Sequence, residues 1–268
     1  MKNILFKSVC LMLLCCGAAL TANAQGIKVI KKDGTVVYYK ASEVESVGVY
    51  GYGEEPEPTI SDKDSNGRAW VDLGLPSGTK WAICNVGANE PEDYGDYFAW
   101  GETTGYKDGK TMFSWSTYKY CDGSYNTMTK YCMQSSDGSV DNKSELEPMD
   151  DAATVNWGSG WQMPSVDQCE ELINSNYTTT TWTAQNGVNG RLIKSKSNGN
   201  SIFLPAAGWC DDTGLSNVGS IGYYWSRSLK WTSYCAYAFS FSSSYIRGKD
   251  YFYHRSYGRS VRPVRVKE

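Results

Sequence analysis

The chain has 268 residues, with 26 Lys and Arg against 29 Asp and Glu, and a single histidine, His254. A formal net charge of −3 argues against a nucleic-acid partner, which calls for a basic face. One histidine gives no support for a Ser-His-Asp or Cys-His relay, or for a histidine-based zinc site.

The first residues read as a signal peptide. Lys2 and Lys7 are its charged region, Val9 to Leu20 its apolar run, and Ala22-Asn23-Ala24 its cleavage site, so that residues 1–24 are the leader and Gln25 begins the mature chain. The run is too short to span a bilayer, and no later segment is long and apolar enough to do so. Cys15 follows Leu14, not the small residue expected before a lipidated cysteine, which favours plain export to the periplasm, cell surface or medium. Without Lys2 and Lys7 the 26 basic residues fall to 24 against 29 acidic ones, a net of −5.

Residues 25–50 read as a small β segment. Val29-Ile30 and Val36 to Tyr39 are strand-like, Asp33-Gly34 makes the turn, and Ser42 with Glu45 has capping-box spacing. Residues 51–66 read as an acidic, proline-containing linker, and 67–268 as the main domain. It opens with a strand at Ala69-Trp70-Val71. Asp150-Asp151 starts a helix that Gly158 stops. Ser165 to Asn174 is a second helix, with Gln168 at capping-box spacing and Val166, Cys169, Leu172 and Ile173 as its buried stripe. Strands follow at 202–204, 223–226, 234–241, 251–255 and 261–266. Two short helices and many strands imply an α+β fold.

The mature cysteines are Cys84, Cys121, Cys132, Cys169, Cys210 and Cys235. An even number in an exported chain permits disulfides without giving their connectivity. Cys121 with Cys132 and Cys210 with Cys235 are the favoured pairs, and Cys84 and Cys169 fit buried thiols. No phosphate-cradling glycine loop occurs. Asp62-Lys63-Asp64-Ser65-Asn66-Gly67 has the start of a calcium loop, but Leu73 stands where the closing carboxylate belongs, so a solvated turn is the expectation. No metal and no cofactor is expected.

Four motifs stand in a fixed order: Val71 to Ala88, Gly95 to Glu102, Gly160 to Ser165 leading into Glu170-Glu171-Leu172, and Leu204 to Gly208 with Tyr224-Trp225-Ser226 and Gly258 to Val264. In this order they resemble secreted domains of Bacteroidetes-type bacteria close to the Fibrobacter succinogenes major paralogous domain. The resemblance covers roughly the last two hundred residues. It implies a C-type lectin-like fold of two short helices and antiparallel sheets, preceded here by the small β hairpin. The same fold underlies formylglycine-generating enzymes and the variable proteins of diversity-generating retroelements. The enzymes use two closely spaced late cysteines, whereas Cys210 and Cys235 are far apart. Calcium-dependent lectins carry a Glu-Pro-Asn triplet, and Glu147-Pro148-Met149 departs from it. Trp81, Trp100, Trp161 and Trp225 read as core, each needing a partner for its N–H.

The C-terminal stretch is rich in Tyr, Ser, Gly and Arg, the composition of antibody paratopes, with Trp and Arg as energetic anchors. Strand alternation puts Tyr237, Phe239 and Phe241 on a core face, buries Phe252, and exposes Tyr251 and Tyr253 with Arg255. The expected ligand-binding residues are Trp231, Tyr234, Tyr245, Arg247, Tyr251, Tyr253 and Arg255. The alternative is that these are ordinary strand residues. The expected function is a secreted or cell-surface binding or adhesion module, not an enzyme, that holds a protein or glycan through this surface. In the retroelement-diversified relatives the same stretch is the variable ligand surface. An exported enzyme on the formylglycine-generating scaffold, or a structural assembly subunit, are the alternatives.

Overall fold

The computed structural model describes residues 26–30, 34–40, 42 and 62–265. The expected leader, Asp33 of the first turn, Glu45 of the first cap and the linker up to residue 61 lie outside the described residues. The chain divides into two units, Met1–Pro56 and Glu57–Glu268. In the first, β1 (Gly26–Ile30) pairs antiparallel with β2 (Val36–Lys40), with Ile30 opposite Val36.

The second unit mixes antiparallel sheets with two short α-helices. One sheet has the order β3 (Asp62–Lys63), β4 (Ala69–Asp72), β5 (Lys80–Ala82), β15 (Val264–Arg265), β6 (Trp161–Gln162). The last strand of the chain therefore lies between two early ones. β3 falls inside the stretch read as linker and pairs Asp62 with Trp70. The Asp64 carboxylate makes that possible by closing the turn, accepting from Asn66 N and Arg68 N at 2.9 Å each. The calcium-like segment is thus a hydrogen-bonded turn.

The helices follow their local signals. Asp151 caps α1 (Ala152–Trp157) by accepting from Thr154 N at 2.9 Å, and Gly158 at φ 96° ends it. α2 (Val166–Leu172) has the expected capping box: Ser165 Oγ accepts from Gln168 N at 3.2 Å, and Gln168 Oε1 accepts from Ser165 N at 2.8 Å. It buries Cys169 and Leu172 and ends at Ile173, short of Asn174. Ser165→Ala is expected to lower stability by about 1 kcal/mol in urea denaturation.

A second sheet joins β7 (Thr178–Gln185), β8 (Val188–Ser195) and β9 (Ser201–Pro205). Its first hairpin turns at Asn186 (φ 47°) and Gly187 (φ 81°), the two positive φ values of a tight hairpin turn. A two-stranded ribbon joins β10 (Trp209–Asp211) and β11 (Gly214–Ser216). A third sheet joins β12 (Ile221–Leu229), β13 (Cys235–Ser242) and β14 (Ile246–His254). β13 is buried on both sides: Phe239 and Phe241 face one way, Ala236, Ala238 and Ser240 the other. α2 lies close on β14, where a Cβ added at Gly248 would stand 2.6 Å from Glu170 Cα. Between residues 83 and 147 the chain is mostly loop, tied down by isolated bridges such as Phe98 with Arg259 and Glu145 with Ser228.

The motifs meet in the core. Trp100 donates from Nε1 to Ser226 O and Trp225 to Phe98 O, both at 2.8 Å, and Trp161 donates to Asp64 Oδ2 at 2.8 Å. Trp81 is buried without a partner for its N–H. Three arginines of the last motif region, Arg255, Arg259 and Arg262, are fully buried. Arg262 donates to Asn85 Oδ1 (2.8 Å), Ala82 O (3.0 Å), Phe203 O (3.0 Å) and Ile83 O, so the end of the chain is bonded to its first motif.

Two expectations are corrected here. All six described cysteines are free. Cys121, Cys132 and Cys210 direct their thiols at nearby backbone carbonyls, of Trp115 (3.1 Å), Gln134 (3.1 Å) and Asp211 (3.7 Å), and Cys235 is a buried thiol on β13. Arg255 is not on the surface. β14 ends at His254, the chain turns, and the alternation that would have exposed Arg255 ends with it. Among the described residues no helix is long and apolar enough to cross a membrane.

Candidate functional site

The β13–β14 hairpin divides the expected ligand-binding residues. Trp231 and Tyr234 stand just before β13, at the end where Cys235 pairs with His254. Tyr245 and Arg247 stand at the opposite end, where Phe241 pairs with Ile246. The two ends are about 20 Å apart at roughly 3.3 Å per residue. Tyr251 and Tyr253 belong to β14, but their side chains lie outside the described residues. One continuous surface from all seven residues is therefore not what the hairpin provides.

At the first end a row of rings forms. Tyr125 packs edge-on against Tyr234 with centroids 5.5 Å apart, and Tyr234 against His254 at 6.3 Å. His254 also meets Trp115 at 5.4 Å and Tyr257 at 5.2 Å. Trp231 is 65% exposed and Tyr125 is 52% exposed, while Trp115, Tyr234, His254 and Tyr257 are half-buried. The row therefore stands on the protein with its rings partly open to solvent. Burial, with Arg259 adding to it, lowers the His254 pKa, so the imidazole is neutral at pH 7 and behaves as another ring.

Arg255 holds this end in place from below. It donates from Nη1 to Ser233 O at 2.7 Å and Tyr131 O at 3.0 Å, from Nη2 to Lys130 O at 3.1 Å, and from Nε to Tyr118 Oη at 2.8 Å. Its guanidinium also lies 4.8 Å from the centre of the Trp100 ring. The turn that presents Trp231 and Tyr234 is fixed further by Asp137 Oδ2, which accepts from Ser233 N at 2.9 Å, and by Gln134 Nε2, which donates to Trp231 O at 3.0 Å. The short 3-10 turn Trp115–Thr117 presents Trp115. Tyr118, just after it, is anchored by a hydrogen bond from its hydroxyl to Trp100 O at 2.7 Å. Backbone and buried side chains, not the rings themselves, set the geometry of the row.

Trp115 and Tyr125 are functional candidates that only the structure brings into view. Both come from the loop-rich stretch, which has no strand alternation to mark an exposed side. The signal available was compositional: Trp115, Tyr118, Tyr120 and Tyr125 crowd a segment otherwise made of small and polar residues.

The opposite end is a smaller arrangement. Arg247 lies 4.7 Å over the Tyr245 ring and 3.6 Å from Asp250 Oδ1. Burial, then Tyr223, pushes the Tyr245 hydroxyl up to about 12. Arg191 donates from Nη2 to Ser242 O (2.7 Å) and Tyr245 O (3.1 Å), which closes the turn.

A buried ionic cluster lies beneath the aromatic row. Asp150 accepts from Lys130 Nζ at 2.5 Å, from the Tyr131 hydroxyl at 2.7 Å and from the Tyr120 hydroxyl. Burial alone would raise its pKa, but hydrogen bonds from Lys130, Tyr120 and Tyr131 hold it at about 2. Lys130 also donates to Glu147, so cation and anions are mutually satisfied and tie the loop at residues 120–131 to the start of α1. Among the described residues no group of three or more His, Cys, Asp or Glu side chains converges as a metal site. No family model, curated protein or solved structure matches the chain.

Proposed function

We propose that this chain is an exported binding module of the C-type lectin-like type, related to the major paralogous domain, that holds a protein or glycan ligand on the aromatic row at the Cys235–His254 end of the β13–β14 hairpin. The observation that carries the reading is the row itself. Rings from separate parts of the chain, Trp115 and Tyr125 in one and Tyr234, His254 and Tyr257 in the other, pack together partly exposed on a rigid base, and Trp231 stands exposed three residues before Tyr234. Rigid aromatic side chains offer large contact area with little conformational entropy to lose. The C-type lectin-like reading is supported by the last strand lying between β5 and β6, by two short helices, and by the long irregular stretch between β5 and the first helix. The proposal includes a non-catalytic role, in which the lone histidine acts as a packing ring among Trp115, Tyr234 and Tyr257.

The test screens the chain from Gln25 onward, beside a Tyr125→Ala, Trp231→Ala, Tyr234→Ala variant, on glycan and protein arrays, with circular dichroism to confirm folding. The expected result is a ligand bound by the parent and lost by the folded variant. Equal binding by both would remove the aromatic row from the account. Retroelement diversification of this stretch, a further part of the proposal, predicts a near-identical template repeat beside the coding sequence with adenines at the differing codons. An invariant stretch across many isolates with no such repeat would contradict it.

A further inference from the structure

Two clefts, of about 730 and 630 Å³, adjoin beside the five-stranded sheet and share Lys63, Asn66 and Trp157. Each is within the size range of small-molecule sites. They share no residue with the aromatic row. The walls are fixed. Trp157 meets Trp161 edge-on at 5.0 Å, and Trp161 meets Trp70 at 6.0 Å. Arg68 lies 5.3 Å from the Trp157 ring centre and donates from Nη1 to Trp157 O at 2.6 Å, while Arg265 stacks 4.6 Å over Trp70. The Trp161 N–H is held by Asp64.

The rim is the opposite in character. The side chains of Lys63, Ser65, Asn66, Lys80 and Ser159 line the first cleft, and none has a hydrogen-bond or ion-pair partner among the described residues. Folding uses the tryptophans, the arginines and Asp64 there and leaves these donors and acceptors unengaged. Charges of both signs line the clefts, with Lys63, Lys80, Arg68 and Arg265 against Asp62, Asp64 and Glu90.

We infer that the paired clefts form a groove for an extended neutral oligosaccharide, with the half-buried Trp157 at the junction as its aromatic wall and Lys63, Asn66 and Lys80 as hydroxyl partners. A sugar ring has an apolar C–H face bounded by hydroxyls, which matches an aromatic wall beside free amide and ammonium groups. Bidentate phosphate recognition would call on guanidinium forks, and both arginines already lie against tryptophan rings, which leaves only the two lysine point charges. A purely apolar ligand would bury the charged rim without compensation.

The test titrates the full chain with neutral tetrasaccharides, namely β-linked glucan, xylan, mannan and chitin fragments, by calorimetry. The parent is expected to bind at least one saturably. Lys63→Ala with Asn66→Ala, both exposed positions, is expected to weaken that binding at least tenfold, and Trp157→Ala to abolish it. Should Trp157→Ala fail to fold by circular dichroism, the double variant decides alone. No saturable binding of any tetrasaccharide, or unchanged affinity in the double variant, would overturn the inference.

Discussion

Arg262→Met is expected to lower stability by about 4 kcal/mol, the cost of leaving several buried hydrogen-bond acceptors without their donor. Arg262 is fully buried and bonds oxygen atoms of Ala82, Ile83, Asn85 and Phe203, none of which is a carboxylate. Methionine would fill much of the volume but leave those oxygens without donors in a site closed to water. Burial lowers the pKa of the guanidinium. Lysine offers one ammonium in place of a planar fork and would recover little. Urea denaturation checks this. A loss under about 1 kcal/mol would mean that the end of the chain is not held by these bonds.

Asp150→Asn is the second large effect, expected at about 3 kcal/mol, because Lys130 would keep only Glu147 as a counter-charge and the Tyr120 and Tyr131 hydroxyls would lose their shared carboxylate acceptor. It has a signature in pH. The folded pKa of Asp150, about 2, lies below its ordinary value of 3.8. A depressed carboxylate stabilises the fold above its unfolded pKa, and that contribution is lost as pH falls from about 4 to about 2. The shift corresponds to about 2 kcal/mol at neutral pH. Denaturation midpoints measured at pH 5 and pH 2.5 should therefore fall less in the asparagine variant than in the parent. Equal falls would assign the acid sensitivity to other carboxylates.

Local features were legible because they are set locally. The Ser165–Gln168 box, the Asp151 cap and the Gly158 stop need only neighbours within a few residues. The Asn186-Gly187 dipeptide is an equally local signal for the tight turn that the positive φ at both positions shows. The threonine run before it, Thr178 to Thr181, lacks the bulky apolar alternation that usually marks a strand. What the sequence could not show is which residues meet. Arg255, Arg259 and Arg262 look like surface charges beside tyrosines, yet each is buried with its guanidinium on rings or backbone oxygens. Cysteine spacing likewise carries no distance, and the thiols favoured as pairs point at separate carbonyls. The tyrosine-rich stretch falls on the β13–β14 hairpin and the residues flanking it. Only its register showed that Trp231 and Tyr234 sit at one end with Tyr125 and Trp115, and Tyr245 and Arg247 at the other.

The division of that hairpin is the most direct point at which to test the account. Two folded variants, Tyr125→Ala with Trp231→Ala and Tyr234→Ala, and Tyr245→Ala with Arg247→Ala, would be compared for binding of the ligand that the parent retains on the arrays. The account predicts binding lost in the first and kept within about threefold in the second, which touches only the far turn. Binding kept in the first and lost in the second would contradict it and move the site to the Tyr245 turn.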